Sequence, residues 1–420
     1  MNIKLKSLIN EGLKETLSVE YLKNLIKGSE FENKVYIAGG AVRDELMGKP
    51  IKDIDLVVDM PEGGLKFADW ATKQMGNFKE GSNPIVFPTY GTAKFNLRKV
   101  NYKGEDLSEI DIETVAPRSE KYEPGNRKPE VQGASLKADA ERRDLTANSL
   151  FKNVSTGEIV DLTGRGRDDL EKGIARTPLD PDKTFADDPL RMLRLIRFFV
   201  KYNWKIPLNT LKALKRNADQ LKNISNERIQ DEFDKILKTD NAGRALKLIK
   251  NSGLNKSMFP EVEITTEKMN LIQKASDPRV KIAILFHDLS KGQIEAILKR
   301  LKYPNDVVGK IANAVTLQSF FNNGESDKRI RQFRRIAGKN ADVTLQLIDD
   351  LNLSVDVDKI RDRLQQMKST PIKPPVSGQD LIKMGMKSGP EFKQILDKIQ
   401  DVFEENPNVS KEELLQLVKR

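Results

Sequence analysis

The chain has 420 residues, enough for two or more hydrophobic cores, and its 72 Lys and Arg against 62 Asp and Glu favour polyanionic partners such as nucleic acid. The absence of cysteine excludes disulfides, thiolate chemistry and cysteine-based zinc sites, and the single histidine, His287, excludes any site that needs two imidazoles from one chain. No apolar run approaches the roughly 18 residues that cross a bilayer, and the N-terminus lacks a long apolar signal core, so we expect a cytoplasmic protein with no membrane partner.

The chain opens with amphipathic helical spacing over residues 1–30, which predicts a packing extension. A short apolar run at residues 35–38 then predicts a strand. Gly39 and Gly40 break that run, and residues 41–47 have a helix-forming composition. A strand, a glycine turn and a helix start place free backbone N–H groups at one spot, with Arg43 one turn into the helix. This arrangement suits a phosphate group.

A second strand is predicted at residues 53–58, where Asp53 and Asp55 alternate onto the same side. Two such carboxylates can bind one hard cation, which beside a phosphate site indicates metal-assisted phosphoryl or nucleotidyl transfer. A later strand, within residues 108–115, carries Asp111 and Glu113 on one face, and either could complete the metal site. Residues 31 to about 115 therefore predict a mixed α/β domain.

Residues 117–140 are rich in charge, Gly and Pro without apolar periodicity, and predict a flexible basic loop. The segment RRDLTANSLF that follows at residues 142–151 places dense polar groups beside apolar ones, as where a helix meets a ligand pocket, although plain surface charge would give the same pattern. Its polar residues are Arg142, Arg143, Asp144 and Asn148.

From residue 183 the patterns are helical. Pro189 fits the first position of a helix. Asp188 and Arg191 would share one face of this helix, with Arg194 one turn further on. An intrahelical ion pair between Asp188 and Arg191 is the simpler interpretation. Residues 327–339 predict a helix with a strongly basic exposed side, which is a candidate contact for RNA phosphates or merely a solvated face. Its basic residues include Arg329, Arg331, Arg334 and Arg335.

Several ordered motifs resemble those of the class II tRNA nucleotidyltransferases, the CCA-adding enzymes, and their bacterial poly(A) polymerase relatives. GGAVRDELMGKPIKDIDLVV is similar to the first family motif, YGTAKF to its FGT segment and RRDLTANSLF to RRDFTINAL. DDPLRMLRLIRF resembles EDPLRMLRAIRF, ERIQDEF the next motif and SGQDLIKMGMKSGPEFKQIL the C-terminal signature.

The resemblance implies an α/β nucleotidyltransferase head with a DNA polymerase β-like mixed sheet, followed by an all-α neck, body and tail. The implied boundaries are 1–30 for the N-terminal extension, 31–180 for the head, 181–250 for the neck, 251–368 for the body and 369–420 for the tail. The segment ILFHDLSKG is similar to the HD phosphohydrolase doublet of some bacterial members, but that metal site needs further histidines. We therefore expect a vestigial HD-like segment without phosphohydrolase activity.

The resemblance also implies site roles. Asp53 and Asp55 would hold Mg²⁺, with Glu113 as the third catalytic carboxylate because it precedes Arg118 as in the motif EVTTxR. The glycine turn and Arg43 would hold the triphosphate of CTP or ATP. The incoming nucleotide would be contacted by Arg143, Arg191 and Arg194. Its ribose would lie near Asp144 and Asn148. Its base would be read by Asp188 together with Arg191.

This last role agrees with hydrogen-bond chemistry. Cytosine and adenine each present an NH₂ donor beside a ring-nitrogen acceptor, whereas guanine and uracil present a carbonyl beside a ring N–H. A carboxylate only accepts and a guanidinium only donates, so Asp188 with Arg191 would select C and A without a nucleic-acid template. The expected reaction is attack of the tRNA 3′-hydroxyl on the α-phosphate.

Three other functions stay open. A poly(A) polymerase is the nearest, although PTYGTAKFNL replaces the GRRFxLxHV-type stretch of those enzymes. A partial enzyme that adds only CC or only A is the second. A non-catalytic RNA-binding relative is the third, and it predicts loss of the metal carboxylates, whereas Asp53 and Asp55 are both present.

Overall fold

The structure, a computed structural model, describes residues 12–75, 84–121, 130–351, 353–367, 373–387 and 389–416. The chain folds as two compact units, residues 1–263 and 264–420. Residues 1–11 of the predicted extension and part of the predicted 369–420 tail, including its start, lie outside the described residues. Within the described ranges, no helix has the length and apolarity that a bilayer crossing requires.

The first unit begins with helix α1, whose Leu17, Leu22 and Ile26 are buried in the same core as the sheet that follows. Its elements up to residue 115 are α1 (Leu13–Ile26), β1 (Val35–Ala38), α2 (Gly40–Leu46), β2 (Ile54–Val58), α3 (Gly63–Gln74), β3 (Ile85–Phe87), β4 (Thr92–Asn96), β5 (Asn101–Tyr102), β6 (Glu105–Asp106) and β7 (Asp111–Val115). The predicted strand–turn–helix–strand order around the glycine pair is confirmed.

The predicted basic loop at residues 117–140 is wrong where the structure describes it. Two strands, β8 (Arg118–Lys121) and β9 (Glu130–Gly133), pair antiparallel as a separate two-stranded sheet, and helix α4 (Leu136–Glu141) follows. Ser135 caps this helix by accepting from the Ala138 N–H. The strand residues whose side chains are described, Arg118, Ser119, Gln132 and Gly133, belong to neither apolar cluster of the main sheet. A strand of this kind needs no apolar alternation, so the pattern could not reveal it.

Strands β10 (Phe151–Asn153) and β11 (Ile159–Val160) complete the main sheet, whose strand order in the described residues is β11-β10-β1-β2-β7-β4-β3. The β2–β7 pairing is parallel and its neighbours are antiparallel, so the sheet is mixed as predicted. In the parallel register Asp55 lies opposite Glu113. Two carboxylates distant in sequence therefore meet on adjacent strands.

The remainder of the first unit is helical. It consists of α5 (Gly166–Glu171), α6 (Pro181–Asp187), α7 (Arg191–Lys201), α8 (Leu208–Asn217), α9 (Asn226–Leu237), α10 (Ala242–Ser252) and α11 (Asn255–Met258). The predicted helix start at Pro189 is wrong by two residues. Asp188 ends α6 in an extended conformation (φ −144°, ψ 99°), because a residue before proline is excluded from the helical region, and α7 begins only at Arg191.

The second unit is helical throughout its described residues, with separate apolar clusters around Phe333 and around Ile399. Its helices are α12 (Thr266–Lys274), α13 (Pro278–Leu285), α14 (Lys291–Arg300), α15 (Asn305–Leu317), α16 (Asp327–Ala337), α17 (Ala341–Asp350), α18 (Val357–Gln366), α19 (Gly378–Lys383), α20 (Pro390–Glu405) and α21 (Lys411–Gln416). The predicted fold class, a mixed-sheet head followed by helices, is confirmed, and the finer domain boundaries stay a prediction.

Helix α3 packs unusually close to β7. A Cβ placed on Gly64 would lie 2.4 Å from the Cα of Val115 and 2.6 Å from its backbone N, and both are backbone atoms that no side-chain rotation can move away. The Thr114 hydroxyl also donates to the Gly64 carbonyl at 2.7 Å. Glycine is therefore required at this contact, which holds the strand that carries Glu113.

We predict that Gly64→Ala destabilises the first unit by about 1–3 kcal/mol, because the added methyl group forces α3 away from β7. The measurement is the midpoint of denaturant unfolding followed by circular dichroism. Gly133→Ala is the matched control, since no atom lies within 4 Å of the added Cβ there. Equal midpoints for the two variants would contradict the close packing.

Candidate active site

A pocket of about 580 Å³ in the first unit gathers the residues that were predicted to hold the metal and the nucleotide. It is lined by the glycine turn, the start of β2, the segment after α4 and one face of α7. Glu113 does not line it directly. The predicted residues that do are Gly39, Gly40, Arg43, Asp53, Asp55, Arg143, Asp144, Asn148, Asp188, Arg191 and Arg194.

Acidic groups form one side of this pocket. Asp53 precedes β2, Asp55 lies within it, and Glu113 is the partner of Asp55 across the parallel pair. Protein atoms around Asp55 and the charges of Glu113 and Asp53 raise its pKa to about 6, although water still reaches the carboxylate from the open pocket. Repulsion of this kind is relieved when a cation binds.

The donor set fits a hard divalent ion that is shared with a substrate. Within the described ranges, no three acidic or histidine side chains are close enough to enclose a metal ion by themselves. Ions such as Mg²⁺ are usually held by one or two carboxylates plus substrate phosphates, so Asp53 and Asp55 meet the requirement. Asp111, the other candidate, is ion-paired with Lys94 at 2.8 Å.

The glycine turn is packed tightly against the opposite wall. Gly39 has φ +68°, and a Cβ on it would lie 2.8 Å from Nη1 of Arg143. Arg43 is 5% exposed and donates from Nη1 to Asn148 at 2.6 Å while it pairs with Asp44 at 2.8 Å. Much of the hydrogen-bonding capacity of Arg43 is therefore used inside the protein.

Asp144 is buried and accepts hydrogen bonds from several groups of the pocket. Its Oδ1 accepts from the Leu145 N–H at 2.9 Å and the Asn148 amide at 2.8 Å, and its Oδ2 pairs with Arg194 at 2.7 Å. Burial opposes ionisation, yet Arg194 and these hydrogen bonds lower the pKa of Asp144 to about 2. Asp144 and Asn148 thus hold the arginines of the pocket, while contact with a ribose stays a prediction.

Asp139 is a functional candidate that the sequence reasoning missed. It is fully buried and pairs with Arg142 at 2.6 Å and with Arg143 at 2.9 Å. Burial disfavours its charge, but the guanidinium groups of Arg143 and Arg142 lower its pKa. The spacing of three and four residues to these arginines was a usable signal for a helical ion pair.

The base-reading candidates are not paired with each other. Asp188 accepts from the Leu190 N–H at 3.1 Å through Oδ1 and from Arg228 at 2.8 Å through Oδ2. Arg191 instead donates from Nη1 to the Thr184 carbonyl at 3.1 Å. The intrahelical ion pair considered for Asp188 and Arg191 is therefore wrong, and Arg228 on α9 was missed because no local pattern links residues forty positions apart.

An aromatic stack lies beside the pocket. Tyr202 is stacked against Phe198 and Trp204, and its hydroxyl donates to Asp44 at 3.0 Å. Burial raises the pKa of Tyr202 to about 12. The Arg43 guanidinium lies 5.1 Å from the centres of the Phe198 and Tyr202 rings, so this stack fixes the arginine by cation–π contact. Sequence reasoning had assigned neither ring.

In the second unit, the predicted basic helix at residues 327–339 forms as α16, but its cations are largely used internally. Arg331 lies 3.9 Å from Glu404 and from Glu405, and Arg335 pairs with Asp401 and Glu404 on α20. Arg329 donates to the Phe320 carbonyl at 2.6 Å. RNA contact by Arg329, Arg331, Arg334 and Arg335 stays a prediction.

The HD-like segment of the same unit follows α13. Asp288 is paired at 2.7 Å with the ammonium group of Lys268, whose side chain is 2% exposed. Burial and the charge of Lys268 lower the pKa of His287. A buried ammonium beside this doublet does not favour a divalent cation there, and the absence of phosphohydrolase activity stays a prediction.

We predict that Asp55→Asn stabilises the metal-free protein at pH 8 by about 1 kcal/mol, a value reduced by solvent screening. The pKa of Asp55 is raised in the folded state from 3.8 to about 6. Ionisation therefore destabilises the fold increasingly as pH rises through this window, and the difference between variant and wild type vanishes towards pH 4. Denaturant midpoints between pH 4 and pH 8 measure it.

Asp59→Asn is the matched control, because Asp59 follows the same strand but does not line the pocket. We expect no pH-dependent gain in stability from this variant. A gain for Asp55→Asn that stayed equal from pH 4 to pH 8 would contradict the repulsion between the carboxylates.

Three family models match successive parts of the chain. The Poly A polymerase head domain matches residues 35–176, and the "Probable RNA and SrmB- binding site of polymerase A" matches residues 203–265. The tRNA nucleotidyltransferase domain 2 matches residues 274–418. The first match contains the glycine turn and the carboxylates of the pocket.

Individual relatives agree with these models. The chain is 37% identical over 253 residues to the tRNA nucleotidyltransferase cca1 of Schizosaccharomyces pombe. The matched region covers 57% of this chain and 48% of the relative, so the chain spans about half the length of that protein. It is 28% identical over 377 residues to a CCA-adding enzyme of Geobacillus stearothermophilus, covering 87% of both chains.

The fold matches the crystal structure of the Bacillus stearothermophilus CCA-adding enzyme in complex with CTP, with a TM-score of 0.71 and 24% identity over 97% of this chain and 98% of that one. This likeness concerns the fold alone. The family rests on the ordered family matches and on the sequence relatives. The chain belongs to the class II tRNA nucleotidyltransferase family, the family of the CCA-adding enzymes.

Proposed function

We propose that the protein adds C and A to the 3′ end of tRNA from CTP and ATP without a nucleic-acid template. The observation that carries the proposal is the composition of the pocket, where the carboxylates of β2 face an arginine-rich wall from the segment after α4 and from α7. A nucleoside triphosphate with its divalent ion combines the charges that these two sides attract. The names of the relatives, tRNA nucleotidyltransferase and CCA-adding enzyme, support this substrate class.

Membership of the family implies the use of a divalent metal, and we propose Mg²⁺ held by Asp53 and Asp55 with Glu113 as the neighbouring catalytic carboxylate. When bound, the ion lowers the pKa of the attacking hydroxyl and neutralises charge on the leaving pyrophosphate. Gly39 lets the Arg143 guanidinium lie against the glycine turn, because a Cβ there would collide with it, and this guanidinium would contact the phosphate oxygens. A cytoplasmic location remains part of the proposal.

The tRNA 3′-hydroxyl attacks the α-phosphate in line. A new P–O bond forms to the RNA and the hydroxyl proton is released to water. The bond between the α-phosphorus and the bridging oxygen breaks, and pyrophosphate leaves with that electron pair. The protein positions the reactants and stabilises the charge of the transition state through groups that are already fixed by buried ion pairs. Asp144 and Asp139 fix these groups by pairing with Arg194 and Arg143.

Selection of the base would depend on Asp188 and Arg191. Arg228 holds one carboxylate oxygen of Asp188 at 2.8 Å, but each carboxylate oxygen has a second lone pair that can accept from the NH₂ of cytosine or adenine. Arg191 uses Nη1 for the Thr184 carbonyl and keeps further N–H groups for the ring nitrogen. Arg228 is therefore a positioning residue in this proposal.

The proposal predicts that the protein extends a tRNA lacking CCA by three nucleotides when CTP and ATP are both supplied, and by C alone when only CTP is supplied. Gel sizing of the product measures the length. Long A tails would identify a poly(A) polymerase, and addition of only C or only A would identify a partial enzyme. Binding of tRNA without extension would identify a non-catalytic relative.

Matched carboxylate variants test the role of the metal site in the same assay. Glu113→Gln should lower the extension rate by about tenfold or more, because it removes a charge next to the ion. Asp111→Asn lies on the same strand and loses only an exposed ion pair with Lys94, so its rate should stay within about twofold of wild type. Equal rates for both variants would remove Glu113 from the mechanism.

We predict that Asp188→Asn lowers the preference for CTP over UTP by about 10- to 100-fold, since an amide can donate to the uracil carbonyl that a carboxylate repels. The measurement is the ratio of kcat/KM for the two nucleotides on one tRNA. Asp182→Asn is the control, because Asp182 pairs with Arg216 outside the pocket. An unchanged ratio for Asp188→Asn would assign base selection elsewhere.

A further inference from the structure

A short series of hydrogen bonds links the glycine turn to the C-terminal end of α7. Arg43 donates from Nε to Oδ1 of Asp44 at 2.9 Å, and its Nη2 lies 2.8 Å from the same oxygen. The hydroxyl of Tyr202, which directly follows α7, also donates to this oxygen, at 3.0 Å. One carboxylate oxygen of Asp44 therefore joins the arginine beside the glycine turn to a tyrosine from another helix.

Arg43 keeps donors for a ligand. Its Nη2 lies 3.5 Å from the point that a Cβ on Gly40 would occupy, so this nitrogen faces the glycine turn. Nη1 donates to Asn148 at 2.6 Å. Each of these two nitrogens carries a second N–H group. Such a group can reach phosphate oxygens at the turn, in a direction that depends on how Asp44 orients the guanidinium plane.

Asp44 is a carboxylate in a pocket that is proposed to hold a triphosphate. It lines that pocket, and its side chain is 20% exposed. A carboxylate that was free to turn there would repel the phosphates. The hydrogen bonds from Arg43 and Tyr202 fix its orientation and neutralise part of its charge.

The hydroxyl of Tyr202 is held in place by the packing of its ring. The ring is stacked on Phe198, with 6.1 Å between ring centres and 6° between planes, and on Trp204 at 4.9 Å. Trp204 is 4% exposed, and a Cβ on Gly173 would lie 3.1 Å from its Cδ1, so the indole is closely packed in turn. Burial raises the pKa of Tyr202 to about 12, so the hydroxyl remains a donor at neutral pH.

We propose that Tyr202 is a positioning residue for the triphosphate of the incoming nucleotide, and that it acts through Asp44 on Arg43. This inference rests on the proposed function and deepens it, because it names a residue that sets the affinity for the triphosphate. Among the described residues that line the pocket, Tyr202 is absent, so its effect has to pass through its neighbours.

The test compares Tyr202→Phe, which removes the hydroxyl and keeps the ring, with Tyr102→Phe as the matched control. Tyr102 also has a ring contact, to Tyr21, and its hydroxyl accepts from Asn24 at 2.8 Å, but it does not line the pocket. Calorimetric titrations with Mg²⁺ present measure the affinities for CTP and for CMP, which has the same base without the β- and γ-phosphates. The kcat and KM for CTP and the denaturant midpoint are measured in parallel.

We expect Tyr202→Phe to bind CTP about 3- to 10-fold more weakly, with its affinity for CMP within about twofold of wild type. The KM for CTP should rise by a similar factor while kcat changes by less than about twofold, because the contact acts on the bound nucleotide before and during the reaction. Tyr102→Phe should match wild type in every measurement.

A second variant tests the route through Asp44. Asp44→Ala removes the shared acceptor and should weaken CTP binding at least as much as Tyr202→Phe. Adding Tyr202→Phe to it should change the affinity by no more than about twofold further, since the hydroxyl then has no carboxylate to hold. Losses of CTP affinity that multiply in the double variant would overturn the proposed route.

Two further results would overturn the inference. Equal losses of CTP and CMP affinity in Tyr202→Phe would assign the tyrosine to the shape of the whole pocket. Unchanged CTP affinity, with or without a lower denaturant midpoint, would give the hydroxyl a purely structural role. Because the titrations need no catalysis, wild-type protein that binds CTP but extends no tRNA would reject the proposed function, while the variants would still decide the role of Tyr202.

Discussion

The arrangement of the pocket depends on the buried carboxylate of Asp144. It binds Arg194 of α7 and the amide of Asn148, and Asn148 in turn accepts from Arg43 beside the glycine turn. An unpaired carboxylate at this depth would cost several kcal/mol, so the fold is stable only when these partners are in place. Three segments that are separate in sequence are thereby held in one geometry before any substrate binds, which is the preorganisation that electrostatic catalysis needs.

On the acidic side of the pocket, by contrast, neighbouring charges repel each other. Parallel pairing of β2 and β7 sets Asp55 beside Glu113, and their repulsion is retained in the folded protein, as the raised pKa of Asp55 indicates. Arg143 and Arg194 on the opposite side are paired with Asp139 and Asp144, whereas Asp53 and Asp55 have no ion pair among the described residues. The raised pKa of Asp55 therefore marks a carboxylate repulsion that a bound cation would relieve.

Local sequence patterns predicted the structural features that depend on residues close together in the chain. The glycine turn, the strand that carries Asp55 and the strand that carries Glu113 form as expected, whereas Asp53 lies one residue before the strand that was predicted to include it. Contacts between distant segments could not be read in this way. The pairing of Asp188 with Arg228 needs α7 packed on α9, and the proline after Asp188 removes that residue from the helix on which the prediction placed it.

The same distinction applies to charge. The net charge of +10 and the basic stretch at residues 327–339 suggested an RNA-binding surface. On α16, however, Arg331 and Arg335 face the acidic side chains of α20, so their charge is mostly compensated within the second unit. What a polyanion can use is the positive charge that remains after internal pairs are formed. On α7, likewise, Arg194 pairs with Asp144 and Arg197 with Glu232. A sequence count cannot separate such paired cations from unpaired ones.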